Sequence, residues 1–157
     1  MIATPLHQHL RLPVVQPGDA CSRSVRFSRD DIAAFARLSG DSNPLHHDQQ
    51  AAQRARHGEI IASGEHTTAL LIGLASSHFS QPDAHGPREV LCLNFNFAFK
   101  APVFAEQAIA LSWKVASVEP NDRLGGLLVH LDGKAAVPHA PPAVVGRGTL
   151  LIKTAQD

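Results

Sequence analysis

The feature that most constrains the fold of this chain is a change of hydrophobic period near residue 88. Before it, SGEHTTALLIGLASSHF (residues 63–79) carries apolar side chains around most of a helix circumference rather than along one stripe. After it, EVLCLNFNFAFK alternates, which predicts a strand with one strongly apolar face. The residues predicted to share that face are Leu91, Leu93, Phe95, Phe97 and Phe99. Because both surfaces need covering, the two segments together predict an apolar helix packed against a sheet.

Four more segments predict strands, with turn residues between them. They are DACSRSVRF, AIALSWKVASV, LGGLLVHLDG and AVVGRGTLLIK, at residues 19–27, 108–118, 124–133 and 143–153. The fold class that satisfies both periods is α+β: a single hotdog domain, in which a curved antiparallel sheet wraps around a central buried helix. Such a sheet leaves an open edge, and a second copy often covers that edge, so we expect a homodimer.

Helix boundaries are marked most clearly in FSRDDIAAFARLSG, residues 27–40. Ser28 is a favourable N-cap, Asp31 stands in the capping-box position, and Gly40 suits the C-terminal cap. A second, short amphipathic helix is predicted in DQQAAQRARHG, residues 48–58. The segment between the two helices, SGDSNPLHHD, should therefore be a loop.

This loop contains several groups that can bind and release protons. Asp41 and His46 are five residues apart, Pro44 fixes one backbone angle between them, and Asn43 before it is pushed toward an extended shape. Taken alone, each residue is typical of an ordinary turn. Taken together, a stiff loop could aim the carboxylate and the imidazole at one water, an arrangement that typically contributes about 10²–10⁴-fold to a rate. The Asn43 amide would orient the water or the loop.

Composition narrows the choice of partner and compartment. The 157 residues are 44% apolar and 18% charged, as in one globular domain, and the formal net charge is zero. Without a basic block, we expect no nucleic-acid partner. The N-terminus lacks a signal-peptide pattern and the apolar stretch 69–75 is too short for a bilayer, so we expect a cytoplasmic protein without membrane contact. Cys21 and Cys92 are expected to be reduced thiols, with one disulfide as the alternative.

The stretch FARLSGDSNPLHHD closely resembles the signature of the MaoC-like hydratases, the (R)-specific enoyl-CoA hydratase group. That signature runs Ser-Gly-Asp-x-Asn-Pro-aliphatic-His-x-Asp, and residues 39–48 match every specified position. FKAPVF, residues 99–104, resembles the family's connection between two sheet strands. The resemblance covers residues 18–154. It implies a MaoC-like hotdog domain over residues 18–157, preceded by an N-terminal arm over residues 1–17.

The resemblance also implies a reaction, the reversible addition of water across the double bond of a trans-2-enoyl thioester carried by CoA or an acyl-carrier protein. The product is an (R)-3-hydroxyacyl thioester, and the implied enzyme is a hydro-lyase without a cofactor or a metal. By the same resemblance, Asp41 and His46 form the catalytic pair, which activates the water and returns a proton to the alpha carbon. Asn43 is then a supporting residue.

The thioester carbonyl needs a hydrogen-bond donor as it becomes enolate-like. The backbone N–H of Gly64 is the candidate, because a helix N-terminus favours negative charge; the alternative is that Gly64 only permits tight packing. Here the chain departs from the family, in which His-Gly and then an apolar residue are usual. Ser63 can cap the helix and donate a hydrogen bond, whereas Glu65 brings a negative charge near the expected thioester. His66 is interpreted as structural or pocket-lining.

Other functions receive less support from the same residues. A nucleophilic triad lacks a Gly-x-Ser-x-Gly elbow. A hotdog thioesterase would direct water at the carbonyl, which the Asp/Asn/His loop argues against. A non-catalytic acyl-thioester-binding protein or partner subunit is favoured by the departures at the helix start and opposed by the intact Asp41–His46 pair. A zinc site would have no recognisable ligand spacing in its candidate set, which is His46, His47, Asp48 and His57.

Overall fold

The computed structural model describes residues 15–84 and 86–154. The predicted N-terminal arm lies outside them except for its last three residues, of which Val15 is buried in the core. The helices are α1 (Arg29–Ser39), a 3₁₀ turn (Pro44–His46), α2 (Gln49–Arg54) and α3 (Gly64–Phe79). The strands are β1 (Ala20–Arg26), β2 (Arg88–Phe99), β3 (Ala108–Asn121), β4 (Gly126–Ala136) and β5 (Pro142–Thr154). Within the described ranges, no helix has both the length and the apolar character needed to cross a membrane.

The five strands form one antiparallel sheet in the order β1-β3-β4-β5-β2, so that β1 and β2 are its edges. Helix α3 packs on one face of this sheet. There the indole Nε1–H of Trp113 on β3 donates to the Leu71 carbonyl of α3 over 2.7 Å. The predicted architecture of an antiparallel sheet packed against one helix is therefore confirmed.

Two aromatic rings fill the middle of the sheet's inner face, above two glycines. One row of register partners crosses four strands through Trp113, Gly133, Gly146 and Phe97. A Cβ at Gly133 would meet the Trp113 ring at 2.3 Å, and a Cβ at Gly146 would meet the Phe97 ring at 2.4 Å. The glycines thus leave room for both rings on this face of the sheet. Removing a ring of this size from a core costs about 3–5 kcal/mol.

The prediction that five residues of β2 share one apolar face is wrong in part. A register shift at Leu93 breaks the alternation, because a bulge residue has no partner on the neighbouring strand. Val90 before the bulge and Phe97 after it both pack against the core. Leu91 and Leu93 are 44% and 47% exposed. The bulge therefore transfers apolar surface from the core side of this edge strand to solvent.

The prediction that α3 is buried on nearly all sides is also wrong for the single chain. Leu71, Ala75 and Phe79 are buried against the sheet. An exposed stripe with a spacing of four residues runs along the other side, formed by Glu65, Ala69, Gly73 and Ser77. Small residues at three of these positions explain why the sequence looked apolar all round although one side faces outward.

Two predicted boundaries differ from the observed ones. Helix α2 ends at Arg54, before the predicted end near Gly58, because Ala55 adopts an extended backbone with ψ 168°. Strand β3 continues through Glu119 and Pro120, beyond the predicted end at residue 118. The proline is tolerated because it lies near the strand end, close to the turn into β4.

Candidate active site

The loop after α1 is shaped by its own side chains. Ser28 and Asp31 form the predicted capping box at the start of α1. At the other end, Gly40 adopts the left-handed conformation at φ 74° that its predicted C-cap role requires, and the helix stops there. The Asp41 carboxylate then accepts a hydrogen bond from the Asn43 N–H over 2.9 Å. The Asn43 side chain in turn caps the 3₁₀ turn by accepting from the next free N–H.

His46 is the buried end of this loop, with 6% of its surface exposed. Its Nδ1 lies 2.7 Å from the Ile61 carbonyl oxygen. Because a carbonyl only accepts hydrogen bonds, Nδ1 must carry a proton. Nε2 is then the ring nitrogen that can accept or release a proton. It faces the Asp41 carboxylate, with 3.4 Å between Nε2 and Oδ2. The fold thus brings the two residues together with a defined tautomer of the imidazole.

The start of α3 supplies backbone N–H groups. Ser63 is the N-cap, and its buried hydroxyl accepts from the His66 N–H over 3.2 Å. Gly64 is the first helical residue, a position whose N–H has no acceptor within the helix. None of the hydrogen bonds between described residues uses that N–H. The Phe99 ring covers Gly64 so closely that a Cβ there would meet the ring at 2.4 Å.

His46 and Gly64 line one cleft of ≈ 570 Å³. Its inner wall consists of buried residues, Ala62, Thr67, Val103 and Val144. Its mouth carries exposed charged or titratable side chains, Arg56, His57, Glu65 and Lys100. Asp41, Asn43 and Ser63 are not part of this lining: Asp41 reaches the cleft only through its contact with His46, and Ser63 lies beneath Gly64 as its cap. The cleft therefore combines an imidazole, a free backbone N–H, an apolar wall and a charged mouth.

His66 lies outside the cleft lining. Its ring stacks on Phe35 at a centroid distance of 4.4 Å and also contacts Phe27 at 4.4 Å. Burial lowers the pKa of His66, and the nearby Asp31 carboxylate opposes this only in part. Nδ1 of this ring is buried without a hydrogen-bond partner in the described part of the chain. His66 is thus a neutral side chain that joins α3 to α1.

The described residues contain neither a cluster of candidate metal ligands nor an activated thiol. Within residues 15–84 and 86–154, no group of three or more His, Cys, Asp or Glu side chains is placed to hold a metal ion. Cys21 and Cys92 are both free. Burial raises the pKa of both thiols, which favours the unreactive protonated form.

Arg56, Lys100 and Phe99 are among the cleft residues that sequence reasoning missed. Arg56 and Lys100 have no local pattern that separates them from other surface cations, and they approach the cleft only through the tertiary fold. Phe99 was assigned to the core face of β2, yet it is 57% exposed and lies on Gly64. The FKAPVF segment that begins at Phe99 was the available signal, because it had already been associated with the family.

The comparisons with known proteins agree with this geometry. The family model described as "MaoC like domain" matches residues 13–135. The chain therefore belongs to the MaoC-like domain family, and its sheet packed on a central helix is the hotdog fold of that family.

The relatives are hydratases and dehydratases. A 3-hydroxybutyryl-CoA dehydratase of Methylorubrum extorquens is 29% identical over 118 residues, 70% of this chain and 71% of the relative. An (R)-specific enoyl-CoA hydratase of Aeromonas caviae is 26% identical over 117 residues, 74% of this chain and 83% of the relative. The solved structure of an (R)-hydratase from A. caviae superposes with a TM-score of 0.76 at 24% identity, over 90% of this chain and 98% of that one.

Proposed function

We propose that this protein is a hydro-lyase that interconverts trans-2-enoyl thioesters and (R)-3-hydroxyacyl thioesters. The observation that carries this proposal is the arrangement of His46, a residue of the cleft lining: Nδ1 is held by the Ile61 carbonyl, and Nε2 faces the Asp41 carboxylate. The relatives' activities support the same reaction type. The candidate carriers are CoA and an acyl-carrier protein, since both present the thioester on a phosphopantetheine arm.

The two side chains would act on one water molecule. The oxygen of the water bonds to the third carbon of the enoyl group, one of its protons passes to the Asp41–His46 pair, and a proton is delivered to the second carbon. One molecule of water is thereby added, and the reverse sequence removes it. Separate acid and base labels are not assigned to the two side chains. Asn43 supports the pair by holding the Asp41 carboxylate and the 3₁₀ turn.

The free N–H of Gly64 would stabilise negative charge on the thioester oxygen. As the water adds, the carbonyl takes on enolate character, and a preorganised backbone donor at a helix N-terminus favours that charge. Ser63 contributes by fixing the first turn of α3 as its N-cap. Hydrolysis of the thioester is less well supported, because it needs no proton transfer to the second carbon.

One assay separates this proposal from the two alternatives. The protein is mixed with crotonyl-CoA, and the enoyl absorbance and the free thiol are followed together. We expect loss of absorbance without release of thiol, and an (R)-3-hydroxybutyryl-CoA product on chiral analysis. Release of thiol would identify a thioesterase, and binding without either change would identify a non-catalytic acyl-thioester protein; both results would overturn the proposal.

The homodimer is part of the same proposal. Among residues 15–84 and 86–154, β2 is an edge strand of the sheet, and the exposed Leu91, Leu93 and Phe99 lie along it. Light scattering should give twice the chain mass of 16.8 kDa. Leu93→Lys should shift the protein toward monomer, and the matched exposed Leu124→Lys should not; equal masses for all three proteins would refute this part.

A cytoplasmic location completes the proposal. Both cysteines of the chain are free thiols, which suits a reducing compartment. Fractionation of cells that express the native protein should recover it with cytosolic markers.

A further inference from the structure

We propose that Arg56 and Lys100 form the anion-binding subsite of the cleft, and that its ligand is a phosphate group of the thioester carrier. The inference rests on the proposed function in one respect, namely that the ligand is an acyl thioester. It goes further by assigning a binding role to two residues that the reaction itself does not use.

Both cations lack a side-chain partner among residues 15–84 and 86–154. The ion pairs between described residues join other side chains, as in Arg29–Glu59 and Arg147–Asp132. Neither Arg56 nor Lys100 takes part in an ion pair or a side-chain hydrogen bond in the described part of the chain. Two unpaired cations facing the same cleft favour an anion between them, because each gains a charge-assisted hydrogen bond there.

The backbone holds each cation in place. Lys100 follows the last residue of β2, and its N–H donates to the Ala143 carbonyl over 2.7 Å. Arg56 lies in the turn after α2, which is closed by a hydrogen bond from Gly58 to Ala55 and by the positive φ of 72° at Gly58. The two side chains therefore extend into one cleft from backbone positions that are each held by hydrogen bonds.

The distribution of burial indicates which end of the substrate these cations meet. The inner wall, with Thr67 and Val144 at 1% and 2% exposure, is closed to solvent and mostly apolar. Arg56 and Lys100 are exposed at the mouth. An acyl group gains from the apolar wall, whereas the carrier must extend to solvent. The group at the cations is therefore the carrier's phosphate, for which an Arg fork and a Lys point charge are suitable donors.

The test measures binding of saturated thioesters, which cannot be hydrated. Butyryl-CoA, butyryl-phosphopantetheine and S-butyryl-N-acetylcysteamine, which has no phosphate, are titrated into wild type, Arg56→Gln, Lys100→Gln and the double variant. We expect each single change to weaken butyryl-CoA about tenfold and the double change about 100-fold, as for charge-assisted hydrogen bonds. Binding of the phosphate-free thioester should not change. The matched exposed cations give the controls Arg23→Gln and Lys134→Gln, which should bind as wild type does.

Titration with butyryl-phosphopantetheine identifies which phosphate of the carrier is bound. Equal weakening of butyryl-phosphopantetheine and butyryl-CoA assigns the phosphate next to the pantetheine, which both carriers share; weakening of butyryl-CoA alone assigns the phosphates of the nucleotide. Equal weakening of all three ligands, or of none, would overturn the inference. So would selective weakening of S-glutaryl-N-acetylcysteamine, since the anion would then belong to the acyl group. Because no hydration is measured, failure of the proposed reaction would be seen separately in the crotonyl-CoA assay.

Discussion

The loop from Asp41 to Asp48 and the first turn of α3 meet in one cleft, yet they are held in different ways. The loop is fixed by short-range contacts, since Asp41, Asn43 and Pro44 shape the backbone within a few residues of His46. The start of α3 depends on distant elements, because Phe99 covers Gly64 and the Phe27 and Phe35 rings contact His66 in the same turn. The comparison teaches that the backbone of the loop is shaped locally and is tied to the rest of the fold through the contact between His46 and the Ile61 carbonyl, whereas the first turn of α3 is positioned by residues distant in the sequence.

The largest effect should come from the loop. Asp41→Asn and His46→Gln should each lower kcat/KM for hydration of crotonyl-CoA by about 10²–10⁴-fold, since each removes one half of the proton-transfer pair. His47→Gln changes the neighbouring exposed histidine and should leave the rate near that of wild type. A thermal melt checks that the folded fraction is unchanged. Wild-type rates in both loop variants would show that the chemistry lies elsewhere.

The second effect tests the backbone donor at the start of α3. Gly64→Pro deletes the N–H at the first helical position, where proline fits the helix and where Ser63 already has an extended backbone at ψ 151°. Gly64→Ala keeps the N–H but adds a Cβ against Phe99. Both changes are made in a Phe99→Ala background, which removes that clash. We expect proline to lower kcat by about 10²–10³-fold relative to alanine; equal rates would remove the Gly64 N–H from the mechanism.

The same contrast explains how much could be predicted from the sequence. The α1 caps and the loop between α1 and α2 follow from local propensities and spacing, and the structure confirms both. The bulge at Leu93 could not be predicted, because β2 has apolar residues at both odd and even positions and either set could face the core. The outward stripe of α3 could not be predicted, because small residues such as Ala69 and Gly73 occur on buried and exposed faces alike. The charged mouth of the cleft was missed because it is assembled from the α2 turn and the end of β2.

The third prediction concerns the charge of Glu65. Glu65 is exposed in the first turn of α3, beside the proposed enolate oxygen. Removing its charge in Glu65→Gln should raise kcat/KM about two- to fivefold, because one unfavourable interaction through a partly solvated cleft is lost. The melting temperature should fall slightly, since an acidic residue stabilises a helix N-terminus. A decrease in kcat/KM would instead mean that Glu65 contacts the substrate favourably.

The smallest effect is a dependence of stability on pH. Burial lowers the pKa of His66 in the folded state, so the unfolded chain binds a proton more readily below about pH 6.5. The contribution of neutral His66 to stability is therefore present above that pH and is lost as the pH falls. His66→Leu should flatten the decrease in melting temperature between pH 7.5 and 5.5, whereas His47→Gln should not. Parallel curves for wild type and His66→Leu would contradict this assignment.

The central claim, that Asp41 and His46 act together on one water, is tested most directly by a double-mutant cycle. The rates of crotonyl-CoA hydration are measured for wild type, Asp41→Asn, His46→Gln and the double variant. If the two side chains act as one unit, the double variant should be about as slow as the slower single variant. If the two losses simply multiply, the residues act independently, and the account of a shared water is wrong.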